Sequence, residues 1–145
     1  MVHIPPKPKN DAEFLEIMSK IIFISGFRWD IVNSRWPKIK KAFHNFSIDK
    51  VAKENLDNLI KKDGMIKNKS KINAIIENAK MCEGIIKKHD SLMRWVKEIE
   101  KNNKKEPLFS PTVREEMKKF VKIGNITSRW LAYVTTRNKK LLERD

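Results

Sequence analysis

"GMIKNKSKINAIIENAK", residues 64–80, decides how this chain reads. Ile72, Ile75, Ile76, Ala79 and, just beyond the stretch, Cys82 recur at helical spacing. That spacing predicts a helix with one buried stripe and a lysine-rich outer face. Asp63-Gly64 is a helix stop and Ser70 marks the next start, so two helices meet at a tight turn. Lys62, Lys67, Lys69 and Lys71 crowd this turn, with Lys80 further along the helix. Such lysines fit the solvated face of a lysine-rich protein. They also fit a backbone hairpin that holds a phosphate, because a helix N-terminus aims unpaired N–H groups and the positive end of its dipole at an anion.

Outward from this point every periodic segment reads as helix, and no alternating strand is present. Asn10 or Asp11 caps "AEFLEIMSKIIFIS", whose last turns, Ile21 to Ile24, are apolar all round and should be buried; Gly26 ends it. After "FRWDIVNSRW", Pro37 is placed where a helix "PKIKKAF" can start. Ser47 caps a short "IDKVA" turn, and "ENLDNLIKK" forms the helix leading into the hairpin. Asp90 can cap "SLMRWVKEIEK"; residues 102–110, "NNKKEPLFS", form a loop; Ser110-Pro111 opens another helix; and Thr127 caps the last one after Gly124. Cys82 belongs to the buried stripe and reads as a small core residue. The expected fold is all-α, a single domain over residues 1–145, with 1–9 as a flexible tail.

Composition narrows the function. The 145 residues carry 32 Lys+Arg against 18 Asp+Glu, a formal charge of +14. Such a field attracts polyanions, and nucleic acid is the commonest of them. Of the 32 basic residues 25 are lysines, a bias that an AT-rich genome would also produce. No apolar run approaches the roughly 20 residues a bilayer span needs. The start "MVHIPPKPKND" has no apolar signal core, so the chain reads as cytoplasmic. One cysteine excludes an internal disulfide, and three histidines make a structural zinc site a poor reading. No cofactor is expected, and the chain reads as a monomer.

Four blocks carry a resemblance. "GFRW" (26–29), "KAFHNFSIDKVA" (41–52), "LIKKDGMIKNKSKINAIIENAK" (59–80) and, more faintly, "FVKIGNIT" (120–127) resemble, in order and spacing, segments of the bacterial 3-methyladenine DNA glycosylase I family. The resemblance spans roughly residues 14–135. It implies a helix-hairpin-helix glycosylase fold, binding to double-stranded DNA with an alkylated base, and a nucleoid-associated place in the cell. The implied reaction is monofunctional hydrolysis of the N-glycosidic bond of 3-methyladenine or a related purine, after the base is flipped from the stack. By the same resemblance Trp29 is the pocket tryptophan, although by itself it reads as core. Ile24 and Phe27 then fall near the residues that plug the gap left by the base. Gly64, Ile66, Lys67, Lys69 and Lys71 form the phosphate hairpin, with no lyase role.

Two departures accompany it. The family's pocket glutamate lies eight residues before that tryptophan, where this chain has Ile21. The family's zinc staple of Cys and His has no counterpart: the chain begins past its first pair, and "TTRNKKLLERD" offers no ligands at the other end. Asp30, beside Trp29, and Asp90, after the hairpin's second helix, are the carboxylates that could replace the glutamate in catalysis, although such residues are more often a surface charge and a helix cap, respectively. The alternative is a non-catalytic DNA or lesion binder that reuses the scaffold.

Overall fold

The computed structural model describes residues 4–143. Eight α-helices follow one another among these residues, with no strand: α1 (Asp11–Ile24), α2 (Trp29–Ala42), α3 (Ile48–Ala52), α4 (Leu56–Ile60), α5 (Lys69–His89), α6 (Leu92–Lys105), α7 (Val113–Met117) and α8 (Asn125–Thr136). The all-α expectation holds. α1 and α5 pack together at the centre. α2, α3 and α4 cover one flank of this pair, and α6, α7 and α8 the other.

The isoleucine stripe of α5 lies where its spacing puts it. Ile72, Ile75, Ile76, Ala79 and Cys82 are all buried. Burial pushes the Cys82 thiol far above its ordinary value, so it stays protonated and inert. On α1, Phe14, Leu15, Met18, Ile22 and Phe23 face the core, whereas Ile21 and Ile24 are half-buried at its edge.

Two aromatic clusters attach the flanks to α1. In the first, Trp36 of α2 meets Phe23 edge-on, with ring centroids 6.2 Å apart, and stacks on Phe46 at 5.5 Å. Phe46 in turn stacks on Phe43 at 5.3 Å. Offset and edge-on rings add specific attraction to the area they bury. His44, Asn45 and Phe46 reach this stack through three successive positive φ angles of 55°, 55° and 60°. Side chains rarely adopt that conformation, and here the stacked Phe46 and a 2.8 Å contact of His44 Nε2 with Glu54 hold it. In the second cluster Phe120 packs on Phe14 of α1 and edge-on to Trp95 of α6.

Several boundaries differ from the sequence reading. Pro37 lies inside α2 and does not start it. Val32, Trp36 and Ile39 pull that helix onto the core, while Pro37 and Asn33, whose carbonyl loses a helical partner, face solvent. Packing outweighs the break because water can satisfy the freed carbonyl. Asp90 is not the cap of α6: it ends α5 with φ of 73°, and the Ser91 hydroxyl accepts from Arg94 N–H instead. α6 extends to Lys105, which shortens the expected loop. α7 is capped by Thr112. Thr127 lies inside α8, where its hydroxyl accepts from Gly124 N–H at 2.7 Å and closes the first turn from within. Of the expected tail, residues 1–3 lie outside the described residues; Pro8 is buried and the Pro5 carbonyl accepts from Arg137.

Candidate nucleic-acid interface

The turn between α4 and α5 is built to present main-chain N–H groups. The side chains of Met65 and Ile66 are buried and anchor it. Asn68 closes it: its N–H donates to Ile66 O, and its side chain accepts from Lys71 N–H at 3.0 Å. Among the described residues the N–H groups of Gly64, Lys67, Lys69 and Ser70 have no acceptor within the chain. Lys67 and Lys69 are exposed beside them. Cations at a helix N-terminus oppose the dipole, and an anion held between these two lysines would relieve that opposition. Gly64 is required on two counts. Its φ is +80°, and a Cβ there would lie 2.7 Å and 2.8 Å from Lys38 Cδ and Cβ.

Lys71 behaves differently from the other hairpin lysines. Its ammonium donates to Phe23 O at 3.1 Å and to Ser25 O at 2.5 Å, at the end of α1. It also lies 5.8 Å from the Phe27 ring. Burial, with a smaller contribution from Lys122, lowers its pKa. The segment it reaches leaves α1 through Gly26 (φ +70°) and is closed by Phe27 N–H donating to Ile24 O at 2.9 Å. Phe27 and Trp29 are exposed there, at 44% and 55%.

A second hairpin joins α7 to α8 and faces the same region. An open cleft of about 720 Å³ lies between them and α1, with Ile22, Lys71, Lys118, Phe120, Lys122 and the first turn of α8 among its lining. The N–H groups of Asn125, Ile126 and Thr127 have no acceptor within the chain, and Ile126 is 73% exposed. Buried Asn78 of α5 fixes this turn. It accepts from Val121 N–H at 2.7 Å and donates to Val121 O at 3.1 Å. Arg114 of α7 braces it by donating to Asn125 O at 2.8 Å. The N-terminus of α8 therefore opens onto this cleft, and α5 contributes Lys71 to the lining, whereas the open amides of Gly64, Lys67, Lys69 and Ser70 lie outside it.

The other sequence candidates lie around this cleft or away from it. Ile21 is half-buried against the core and Trp29 stands exposed at the start of α2; neither is in the cleft lining, and the structure does not bring them together there. Asp30 is exposed and paired with Arg28 at 2.9 Å, whose hydrogen bond holds the carboxyl below its usual range. Asp90 pairs with Arg94 at 2.7 Å in solvent. The cleft lining contains lysines and no carboxylate. Among the described residues no three His, Cys, Asp or Glu side chains gather as a metal site would require. The second hairpin was the part that sequence reasoning passed over. Its one signal was the faint block "FVKIGNIT", which contains Lys122 and follows directly on Lys118 and Lys119.

Comparison with known proteins gives a consistent picture. Residues 6–127 match the family described as methyladenine glycosylase. Two solved structures align over 92% of the chain, each with a TM-score of 0.73. One is 3-methyladenine DNA glycosylase I from Staphylococcus aureus, in a study of its 3-methyladenine recognition, at 15% identity and 80% coverage of that protein. The other is a tyrosine-to-phenylalanine variant of a 3-methyladenine DNA glycosylase I in complex with 3-methyladenine, at 16% identity and 81% coverage. At such identity the likeness establishes a shared fold. No curated protein sequence matches the chain significantly.

Proposed function

Because the chain belongs to the methyladenine glycosylase family, we propose that it binds duplex DNA at the lysine-lined cleft, extrudes an alkylated purine and hydrolyses its N-glycosidic bond. The observation that carries this reading is the pair of helix N-termini with unpaired amides, that of α8 on a cleft lined by Lys118 and Lys122 and that of α5 beside exposed Lys67 and Lys69. Amides and lysines so arranged hold phosphates and read no base. Phe27, Trp29 and Ile126 supply exposed apolar surface nearby, suited to fill the gap left in the stack and to stack on the extruded base.

An alkylated purine that carries a formal positive charge is already an activated leaving group. The enzyme's part is then to extrude the base, stack it and exclude water from the wrong face. By the sequence resemblance Ile21 stands where the family keeps its glutamate, and the cleft is lined by lysines. Both favour a neutral or bulkier alkylpurine over cationic 3-methyladenine, since an unpaired cation in an apolar or positive site is costly. A second reading, a lesion binder without hydrolysis, is favoured by the absence of a carboxylate from the cleft lining.

The test is incubation of the protein with duplexes carrying 3-methyladenine, 7-methylguanine or a neutral ethenopurine, with chromatography of released bases. Release of a free base supports the hydrolase. Selective binding without release supports the second reading. Equal affinity for damaged and undamaged duplexes, with no release, defeats both.

A further inference from the structure

We propose that Lys71 is a positioning residue: it ties the phosphate-facing turn of α5 to the Phe23–Phe27 segment, and so fixes the distance between a gripped phosphate and the residues that replace an extruded base. The proposal rests on the duplex-DNA reading above. Lys71 is the third residue of α5, where a positive side chain opposes the helix dipole. A local rule broken in this way points to a compensating partner. The partner is the end of α1, whose last turn contains no basic residue of its own. There Lys71 Nζ donates to Phe23 O and Ser25 O, two carbonyls left over once Ser25 N–H has taken Ile21 O and Phe27 N–H has taken Ile24 O. Bonds from an ammonium are stronger than neutral ones, so a lysine from a helix 46 residues further along the chain neutralises the α1 terminus.

The arrangement has a geometric consequence. The Lys71 N–H is held by Asn68, and the N–H groups of Lys69 and Ser70, just before it in the chain, are the ones open to a phosphate. A single rigid helical turn therefore touches the phosphate site through its main chain and the plugging segment through its side chain. Gly26, at φ +70°, gives that segment a hinge, and Lys71 holds the hinge in one setting. Among the hairpin lysines, Lys67 and Lys69 are left to meet the phosphates, whereas the Lys71 charge is already engaged.

Three variants read this separately from phosphate binding: Lys71→Met, Lys71→Arg and Lys69→Ala. Hydrogen exchange of the free protein reports the tie. Lys71→Met should speed exchange at Ser25 and Phe27 by about tenfold or more while global unfolding is little changed. On duplex DNA it should leave affinity within about threefold and the salt slope unaltered, whereas Lys69→Ala should reduce that slope by about one. The fluorescence rise of 2-aminopurine placed at the extruded position should fall by about fivefold or more in Lys71→Met and recover in Lys71→Arg. A reduced salt slope in Lys71→Met with unaltered exchange makes Lys71 a phosphate contact and overturns the proposal. Faster exchange with undiminished extrusion overturns the positioning role and leaves the DNA reading intact. A parent protein that binds no duplex overturns the DNA reading itself, whatever the exchange shows. Should Lys71→Met fail to fold, Lys71→Gln takes its place with the same expected readings: faster exchange with lost extrusion supports the proposal, and undiminished extrusion overturns it.

Discussion

Replacing Gly64 by alanine tests whether the α4–α5 turn is as constrained as its geometry states. The φ of +80° costs an L-residue roughly 1–2 kcal/mol. The new Cβ would then meet Lys38 Cδ at 2.7 Å and Cβ at 2.8 Å. The Cδ can swing away, but the Cβ is fixed to the α2 backbone, so α2 or the turn must move. Overpacking of this kind costs typically about 1–3 kcal/mol. The sum is about 3 kcal/mol, and for a domain of this size that lowers Tm by roughly 10 °C. The Lys38–Asp63 ion pair, 3.0 Å long but largely exposed, contributes little to this figure.

The assay is urea denaturation of four proteins: parent, Gly64→Ala, Lys38→Gly and the double variant. Removing the Lys38 side chain clears the collision and leaves only the φ penalty. Gly64→Ala should therefore cost about 1–2 kcal/mol less in the Lys38→Gly background than in the parent. Strict additivity, or a cost below about 0.5 kcal/mol in the parent, would refute the reasoning. The same variant should weaken duplex binding, because the amides of Gly64, Lys67, Lys69 and Ser70 would no longer share one setting.

Other perturbations test the remaining parts. Asn78→Ala should cost about 2–3 kcal/mol by chemical denaturation, since it strips both main-chain groups of Val121 of their partner; an unchanged midpoint would mean that water replaces the side chain. Lys67→Ala and Lys69→Ala should each weaken duplex binding uniformly across sequences, in a parent whose log K falls with log salt at a slope near −4 to −5 if about four to six phosphates are neutralised. Lys104→Ala, at the end of α6, should do less, and equal effects from all three would indicate diffuse charge and no hairpin site. Ile21→Glu should tighten binding to cationic 3-methyladenine while lowering thermal stability, because its half-buried position would raise the carboxyl pKa. Trp29→Ala should remove lesion preference and spare undamaged-duplex affinity; an unaltered preference would remove Trp29 from the pocket.

The fold was legible wherever a helix is long enough for its buried face to repeat. α5 declared its stripe from Ile72 to Cys82, and α1 offered Asn10 or Asp11 as its cap, of which Asn10 takes the role by accepting from Glu13 N–H at 2.9 Å. Reading failed where local signals were ambiguous and packing decided between them. "HDS" at 89–91 offers two capping side chains in a row, and only the backbone shows that Asp90 takes the positive φ and Ser91 the cap. Pro37 looked like a start because nothing local shows that its outward face on α2 has water for the freed Asn33 carbonyl.

The site was harder to read because its parts are distant in sequence and carry no period. α7 has five residues, too few to show a stripe. The cleft joins Ile22 to residues 118–127, and no spacing rule links them. Charge was the main clue, and it grouped Lys71 with Lys67 and Lys69 as a single basic turn. The structure divides that group: two lysines face solvent beside open amides, and the third turns inward to carbonyls of another helix. Composition counts all three as equal contributions to +14, but an ammonium already bonded to two carbonyls has fewer donors to offer a phosphate and loses those bonds if it turns outward. The electrostatic footprint on DNA should therefore be smaller than the sequence charge suggests, and it should be centred on the amides of the two helix N-termini.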